Sequence, residues 1–366
     1  MFVLPYHNGN DSVLQVLFAQ DRENAIRMFF EKKLVVSAEA VVQWGKKKGV
    51  GLMWWIFGIL ALAAVVLGIA YGCFRFAFYV PRRKAFDPEA IELPEGTVYE
   101  TYWPDMERWI REVRALPQER MYIKSFDGLT LHGIYYEYAP GAPIELMFHG
   151  YRGTSERDLS GAVQRCFRLG RSALIVDQRG SRFSEGNVIS FGINEHRDCL
   201  AWLDFAIQRF GKDVKIILTG ISMGASTVLM VSDKDLPPNV LGILADCGFS
   251  SAKDIIKKVI RQMGLPADIG YPFVKLGAKL FGHFDLEAHS AVEAVKHATV
   301  PVIFFHGDGD DYVPCEMSRI NYEACTSKKK LVIIPRAGHG LSYPVAPDVY
   351  LNALREFFGE EASYQG

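Results

Sequence analysis

The stretch from Val214 to Val231, VKIILTG running into ISMGASTVLMV, leaves a chain few ways to fold. An apolar run rich in β-branched residues predicts a strand that stops at Gly220. Gly220-Ile221-Ser222-Met223-Gly224 then leads straight into a helix-like apolar period, the strand, tight turn and helix start of a nucleophile elbow. A strand that reverses directly into a helix strains its corner residue, and glycines on either side let helix and neighbouring strand approach. Ser222 is expected at that corner, with its hydroxyl above the sheet and near a helix N-terminus that favours developing negative charge.

A second stretch sets where such a domain can sit. Gly49 to Phe74 carries no charge over 26 residues, long enough at about 1.5 Å per residue to cross a hydrocarbon core of roughly 30 Å. It reads as a transmembrane helix, with Trp54, Trp55 and Tyr71 toward its ends where amphipathic rings prefer headgroups. With 48 residues ahead of it and so long an apolar core, it does not read as a cleavable signal peptide. Lys32, Lys33 and Lys46 to Lys48 on one side, against Arg75, Arg82, Arg83 and Lys84 on the other, favour an inside N-terminus and an extracytoplasmic catalytic domain. This span accounts for the high apolar fraction of 49%, while Lys+Arg 41 against Asp+Glu 42 gives no field that points to nucleic acid.

Four regions follow from the pattern. Residues 1–48 are mixed, with a helical period but no chemical signature. Residues 75–120 form a proline-rich connector holding one helix near Met106 to Leu116, which drapes onto the next domain. From 121 to 366 strands and helices alternate, predicting a mostly parallel sheet covered on both faces. That domain opens with a hairpin whose Asp127-Gly128 pair suits a primed turn. Alternation stops between 248 and 297, where a helical insert follows a strand's C-terminal end and is expected to form a small lid over Ser222. The six cysteines show neither a zinc-type spacing nor a disulfide framework.

A serine hydroxyl near neutral pH needs an imidazole to take its proton and a carboxylate to fix that imidazole's tautomer. After an elbow of this kind the acid and then the histidine follow in the chain. The sequence supplies HGDGDDYVP from His306, offering Asp308, Asp310 and Asp311, and then AGHG with His339. Asp177, Arg179 and Glu185 make a charged turn that reads as a mutually satisfied loop network.

From about residue 121 onward the chain resembles the α/β-hydrolase superfamily, in particular membrane-anchored bacterial members and abhydrolase-domain proteins related to prolyl oligopeptidases. HGYRGT (149–154), DQRGSRFSEG (177–186), GISMGAS (220–226), ADCGFSS (245–251), HGDGDDYVP (306–314) and AGHGLSY (337–343) carry the resemblance. It implies an α/β fold with an eight-stranded sheet, Ser222 as nucleophile, His339 as general base and Asp310 as the acid. It also implies an oxyanion hole from the backbone amides of Tyr151 and Met223, with His149 and His306 structural. Ser181-Arg182-Phe183 departs from the small residues usual in the 177–186 turn, which narrows the pocket and leaves the triad untouched. The expected activity is a membrane-tethered serine hydrolase acting on a small-molecule or lipid-like carboxylic ester or thioester. A prolyl-oligopeptidase-like peptidase and a catalytically silent membrane scaffold are the alternatives. No cofactor, metal or nucleic acid is implied, and the oligomeric state has no signature in the chain.

Overall fold

A computed structural model describes residues 50–81 and 89–359. The reading of residues 1–48 and the basic residues Arg82, Arg83 and Lys84 lie outside that set. The chain divides into two units, Met1–Val66 and Leu67–Gly366. Helix α1, Val50–Ala77, is the apolar stretch and runs three residues past the expected end. The extension has a tertiary cause: Ala70, Phe74 and Phe78 are buried within the second unit, so Arg75 to Ala77 are held in a continuing helix.

The connector forms a short α2 (Thr97–Glu100) and α3 (Trp103–Ala115), the latter opened by Pro104 at a position where a missing amide costs nothing. Trp109 of α3 lies against Gly161, where an added Cβ would come within 2.7 Å of the indole. Ile110 and Val113 are buried on the same helix.

Strands β1 (Glu119–Lys124), β2 (Thr130–Tyr136), β3 (Ile144–Phe148) and β4 (Ser172–Asp177) alternate with helix α4 (Ser155–Arg168). Helix α5 (Glu195–Phe210), β5 (Ile216–Ile221), α6 (Met223–Leu229) and β6 (Val240–Asp246) follow. The sheet is finished by β7 (Val302–Gly307) and β8 (Lys329–Ile334), giving the order β1-β2-β4-β3-β5-β6-β7-β8. Only β1 and β2 pair antiparallel to their neighbours; β4 through β8 run parallel. Burial follows position. Every residue of β3, β4 and β7 is buried, as strands covered on both faces require, whereas β1 alternates because one of its faces meets solvent.

The first hairpin departs from expectation. A primed two-residue turn needs positive φ at its first central position, and in type I′ at both, but Asp127 has none and Gly128 alone is left-handed at φ 87°. The Gly128 amide donates to Ser125 O and the Ser125 amide to Leu129 O, a longer turn closed by a bulge. Its loop is lengthened by Ser125, whose Oγ accepts from the Leu129 amide and donates to Asp127 Oδ1.

The insert holds α7 (Ala252–Gln262), α8 (Ala267–Phe281) and α9 (Ala291–Val295). Ser251 and Ser290 cap α7 and α9, each accepting from an amide three residues on. Two further helices, α10 (Cys315–Ala324) and α11 (Ser342–Val345), precede α12 (Pro347–Phe358). The last has Pro347 at its first turn.

The elbow's glycines are sterically required. A Cβ on Gly220 would sit 2.2 Å from Gly224 C, and one on Gly224 would sit 2.0 Å from Phe148 O. Both obstacles are backbone and cannot rotate away. Gly224→Ala is therefore expected to cost about 4 kcal/mol or more of stability, the range reserved for severe strain. A urea titration in detergent checks this, and an unchanged midpoint would show that α6 and β3 can part without penalty.

Candidate active site

The chain leaves β3 at the sheet centre, passes through β4 on one side, and returns to β5 on the other. Loops leaving β3 and β5 therefore diverge, and an open α/β sheet has its crevice at such a point. Ser222 stands there at φ 55° and ψ −119°, a conformation disfavoured for a residue with a side chain. The Ser222 amide donates to Asp246 O at 2.8 Å and so fastens the corner to β6. Gly150, just after β3, faces it so closely that an added Cβ would lie 3.4 Å from Ser222 Cβ.

His339 lies on the loop after β8, with Nε2 2.8 Å from Ser222 Oγ and Nδ1 2.6 Å from Asp310 Oδ2. A carboxylate can only accept, so Nδ1 carries the proton and Nε2 is left to accept from the serine hydroxyl. Asp310 is buried, whereas Asp308 and Asp311 are exposed. Asp308 accepts from the Arg336 amide and stays outside this chain of contacts.

Asp310 is held on every side. Its Oδ1 accepts from the Tyr312 and Val313 amides at 2.9 and 2.8 Å, and Oδ2 lies 3.2 Å from His306 Nε2. Burial alone would push its carboxyl up. Hydrogen bonds from His306, His339 and the Val313 amide prevail and hold it well below the usual carboxylate range, so it is ionised. His306, read from the sequence as structural, thus orients the acid; its four-residue spacing from Asp310 was the available signal. His306 Nδ1 is braced 2.7 Å from Ser318 Oγ on α10.

The loop of Tyr151 is fixed by residues the sequence reading passed over. The Gly150 amide donates to Asp158 Oδ2 at 3.0 Å, and Arg157 Nε binds the other carboxylate oxygen at 2.7 Å. His149 is buried between Gly150 O and the Gln178 amide, and burial lowers its pKa so that it stays neutral. Met223 opens α6, so its amide has no acceptor within the helix. Asp177 and Arg179 are satisfied in the loop behind, by His132, Ser155, Asp127 and Asp198. Glu185 accepts from the Thr130 amide.

A cleft of about 570 Å³ opens beside Ser222 and His339. Its wall comes largely from the connector and the loops after the strands. No residue of 248–297 lines it; Pro94, Val98, Tyr99 and Met106 of the connector do, together with Tyr151 and Tyr312. Val98 packs on the histidine loop so tightly that a Cβ at Gly338 would come within 2.6 Å of its methyl. The insert meets the acid loop through Lys258 Nζ, which donates to Tyr312 O at 2.8 Å, through Gln262 Nε2, which donates to Asp311 O at 3.2 Å, and through a buried cluster shared with Val313. Nothing in local sequence marks a connector as a wall, because the contact spans more than two hundred residues.

Among the described residues one group has metal-ligand reach: Cys247, Asp310 and His339 offer atoms within 4.8 Å of one another. Two are already bonded to each other. Burial pushes the Cys247 thiol well up, so the thiolate a metal needs is disfavoured.

Residues 168–364, more than half of the chain, match the prolyl oligopeptidase family. The chain belongs to that family. An uncharacterized protein of Mycobacterium tuberculosis is 24% identical over 307 residues, 83% of this chain and 96% of its own. The lysophosphatidylserine lipase ABHD12 of Danio rerio is 26% identical over 202 residues, 52% of this chain and 49% of its own. The esterase Pf2001 of Pyrococcus furiosus superposes with a TM-score of 0.57 at 17% identity, covering 77% of this chain and 97% of its own. That likeness is one of fold, the α/β-hydrolase fold with its eight-stranded, mostly parallel sheet. The protein is an α/β hydrolase with esterase-like and peptidase-like relatives.

Proposed function

We propose that the protein is a membrane-tethered serine hydrolase that cleaves a lipid-like carboxylic ester or thioester through an acyl-enzyme. The observation that carries this is the unbroken run of contacts from Ser222 Oγ to His339 Nε2 at 2.8 Å and from His339 Nδ1 to Asp310 Oδ2 at 2.6 Å. Ser222 Oγ attacks the substrate carbonyl while His339 Nε2 takes its proton. Tyr151 and Met223 amides receive the negative charge that builds on the carbonyl oxygen. His339 then protonates the leaving alcohol or thiol, and water, deprotonated by the same nitrogen, releases the acid. Asp310 stays ionised throughout and stabilises the imidazolium.

Pro94, Val98, Tyr99 and Met106 give the cleft an apolar side that suits an acyl chain, beside the charged Glu95, Arg157, Asp158 and Asp311, and ABHD12 bears a lipase name. Helix α1, from Met53 to Ala77, has the length and apolarity to cross a bilayer, which would hold the cleft near lipid. The flanking charges favour the extracytoplasmic side for the hydrolase unit. Family membership supports a second reading, a serine peptidase, since one fold carries both chemistries.

A fluorophosphonate probe is expected to label the wild type and not Ser222→Ala, and equal labelling of both would remove the proposal. Turnover of p-nitrophenyl esters of rising chain length, compared with aminoacyl and dipeptide amides, separates the two readings.

A further inference from the structure

The insert 248–297 leaves the outer face of α8 only partly covered, with Phe273 and Leu276 half-buried and Ile269 and Leu280 exposed. Its inner face, Tyr271, Val274, Gly277 and Ala278, is buried. Ile269, Phe273, Leu276 and Leu280 follow at intervals of four, three and four, which places them on one outer stripe. Ile269 is 66% and Leu280 42% exposed, and Met263 and Leu265 in the preceding turn are 54% and 53% exposed. Scattered exposed leucines need no explanation, but an apolar stripe continued by an apolar turn does.

The position of α8 says what covers it. Gly277 lies under α1 so closely that a Cβ would meet Ala70 O at 2.3 Å. Further along, Phe281 stacks near Phe74 with ring centres 6.0 Å apart, and Phe284 meets Phe78 at 5.3 Å. Rising numbers on one segment pair with rising numbers on the other, so the two run in the same direction. The Met263–Ile269 turn therefore lies toward Leu67, the end at which the apolar span joins this unit. Tyr71 packs edge-on against Phe281 at 5.2 Å, on the side of α8 that faces α1. Exposed Arg261 and Lys279 stand at the margins, while Asp268, the acid in the first turn of α8, is paired with Lys257.

We infer that the α7–α8 turn and the outer stripe of α8 form a second, monotopic membrane contact that sinks into the headgroup and upper acyl region of an anionic bilayer beside α1. Apolar side chains on one face with basic residues at its edge are the composition of interfacial helices. Because α8 runs in the same direction as α1, the contact is made end-on, by the α7–α8 turn and the first residues of the stripe. The inference rests on the membrane-tethered reading, and its test separates the two.

Full-length protein is reconstituted in vesicles of phosphatidylcholine and phosphatidylglycerol with p-benzoylphenylalanine placed singly at Leu265, at Leu60 in the span, or at exposed Lys212. After irradiation, mass spectrometry is expected to show lipid adducts at Leu265 and Leu60, each several-fold above Lys212. Adducts at Leu60 without Leu265 overturn the second contact and leave the anchor standing. No adduct at either site removes the anchor reading and the inference with it. A crosslinked dimer through Leu265 in place of a lipid adduct, or equal yields at Leu265 and Lys212, overturns the inference as well.

Discussion

In a p-nitrophenyl ester assay, Ser222→Ala and His339→Ala are each expected to lower kcat by roughly a factor of 10⁶, and the double variant by no more than either alone. The reason is that the hydroxyl and the imidazole act as one unit. Without Nε2, 2.8 Å away, the hydroxyl keeps its proton; without the hydroxyl, the imidazole has no proton to take. What survives is binding and whatever charge stabilisation the Tyr151 and Met223 amides supply to attack by water. Losses that multiply in the double variant would mean that the two side chains work independently, which the proposed mechanism does not allow.

Asp310→Asn is expected to lower kcat by about 10⁴ while leaving the fold intact. An asparagine can keep its oxygen on the Tyr312 and Val313 amides, which now bind Oδ1. Its NH₂ would then face His339 Nδ1, where Oδ2 now accepts. Two donors cannot face one another, so the proton moves to Nε2 and confronts Ser222 Oγ. The imidazole can no longer act as a base toward the serine. Stopped-flow or steady-state ester turnover, with circular dichroism to verify folding, measures this. Activity within tenfold of the wild type would assign the acid elsewhere, with Asp308 the first residue to try.

Much of the architecture could be read residue by residue because it is governed by local rules. The sharp corner at Ser222 demands glycines, and Gly220 and Gly224 are where an added Cβ would meet neighbouring backbone at about 2 Å. Buried parallel strands demand unbroken apolar runs, and β3, β4 and β7 have them. The apolar length of α1 is visible in the chain without any fold at all. The hairpin turn went astray because a dipeptide signal cannot register the side chain of Ser125, which adds its own hydrogen bonds and lengthens the loop.

Among three neighbouring aspartates, composition and spacing left the choice open; family resemblance favoured Asp310, and burial with convergent donors sets it apart in space. The connector's part in the cleft and the insert's absence from it were likewise invisible, since Val98 meets Gly338 and Gly277 meets Ala70 across two hundred residues or more. Strands, corners and an apolar span are written in neighbours along the chain, whose sterics and hydropathy act over a few bonds. Which carboxylate reaches the imidazole, and which segment roofs the serine, depend on groups that only the packed sheet brings within a few ångströms.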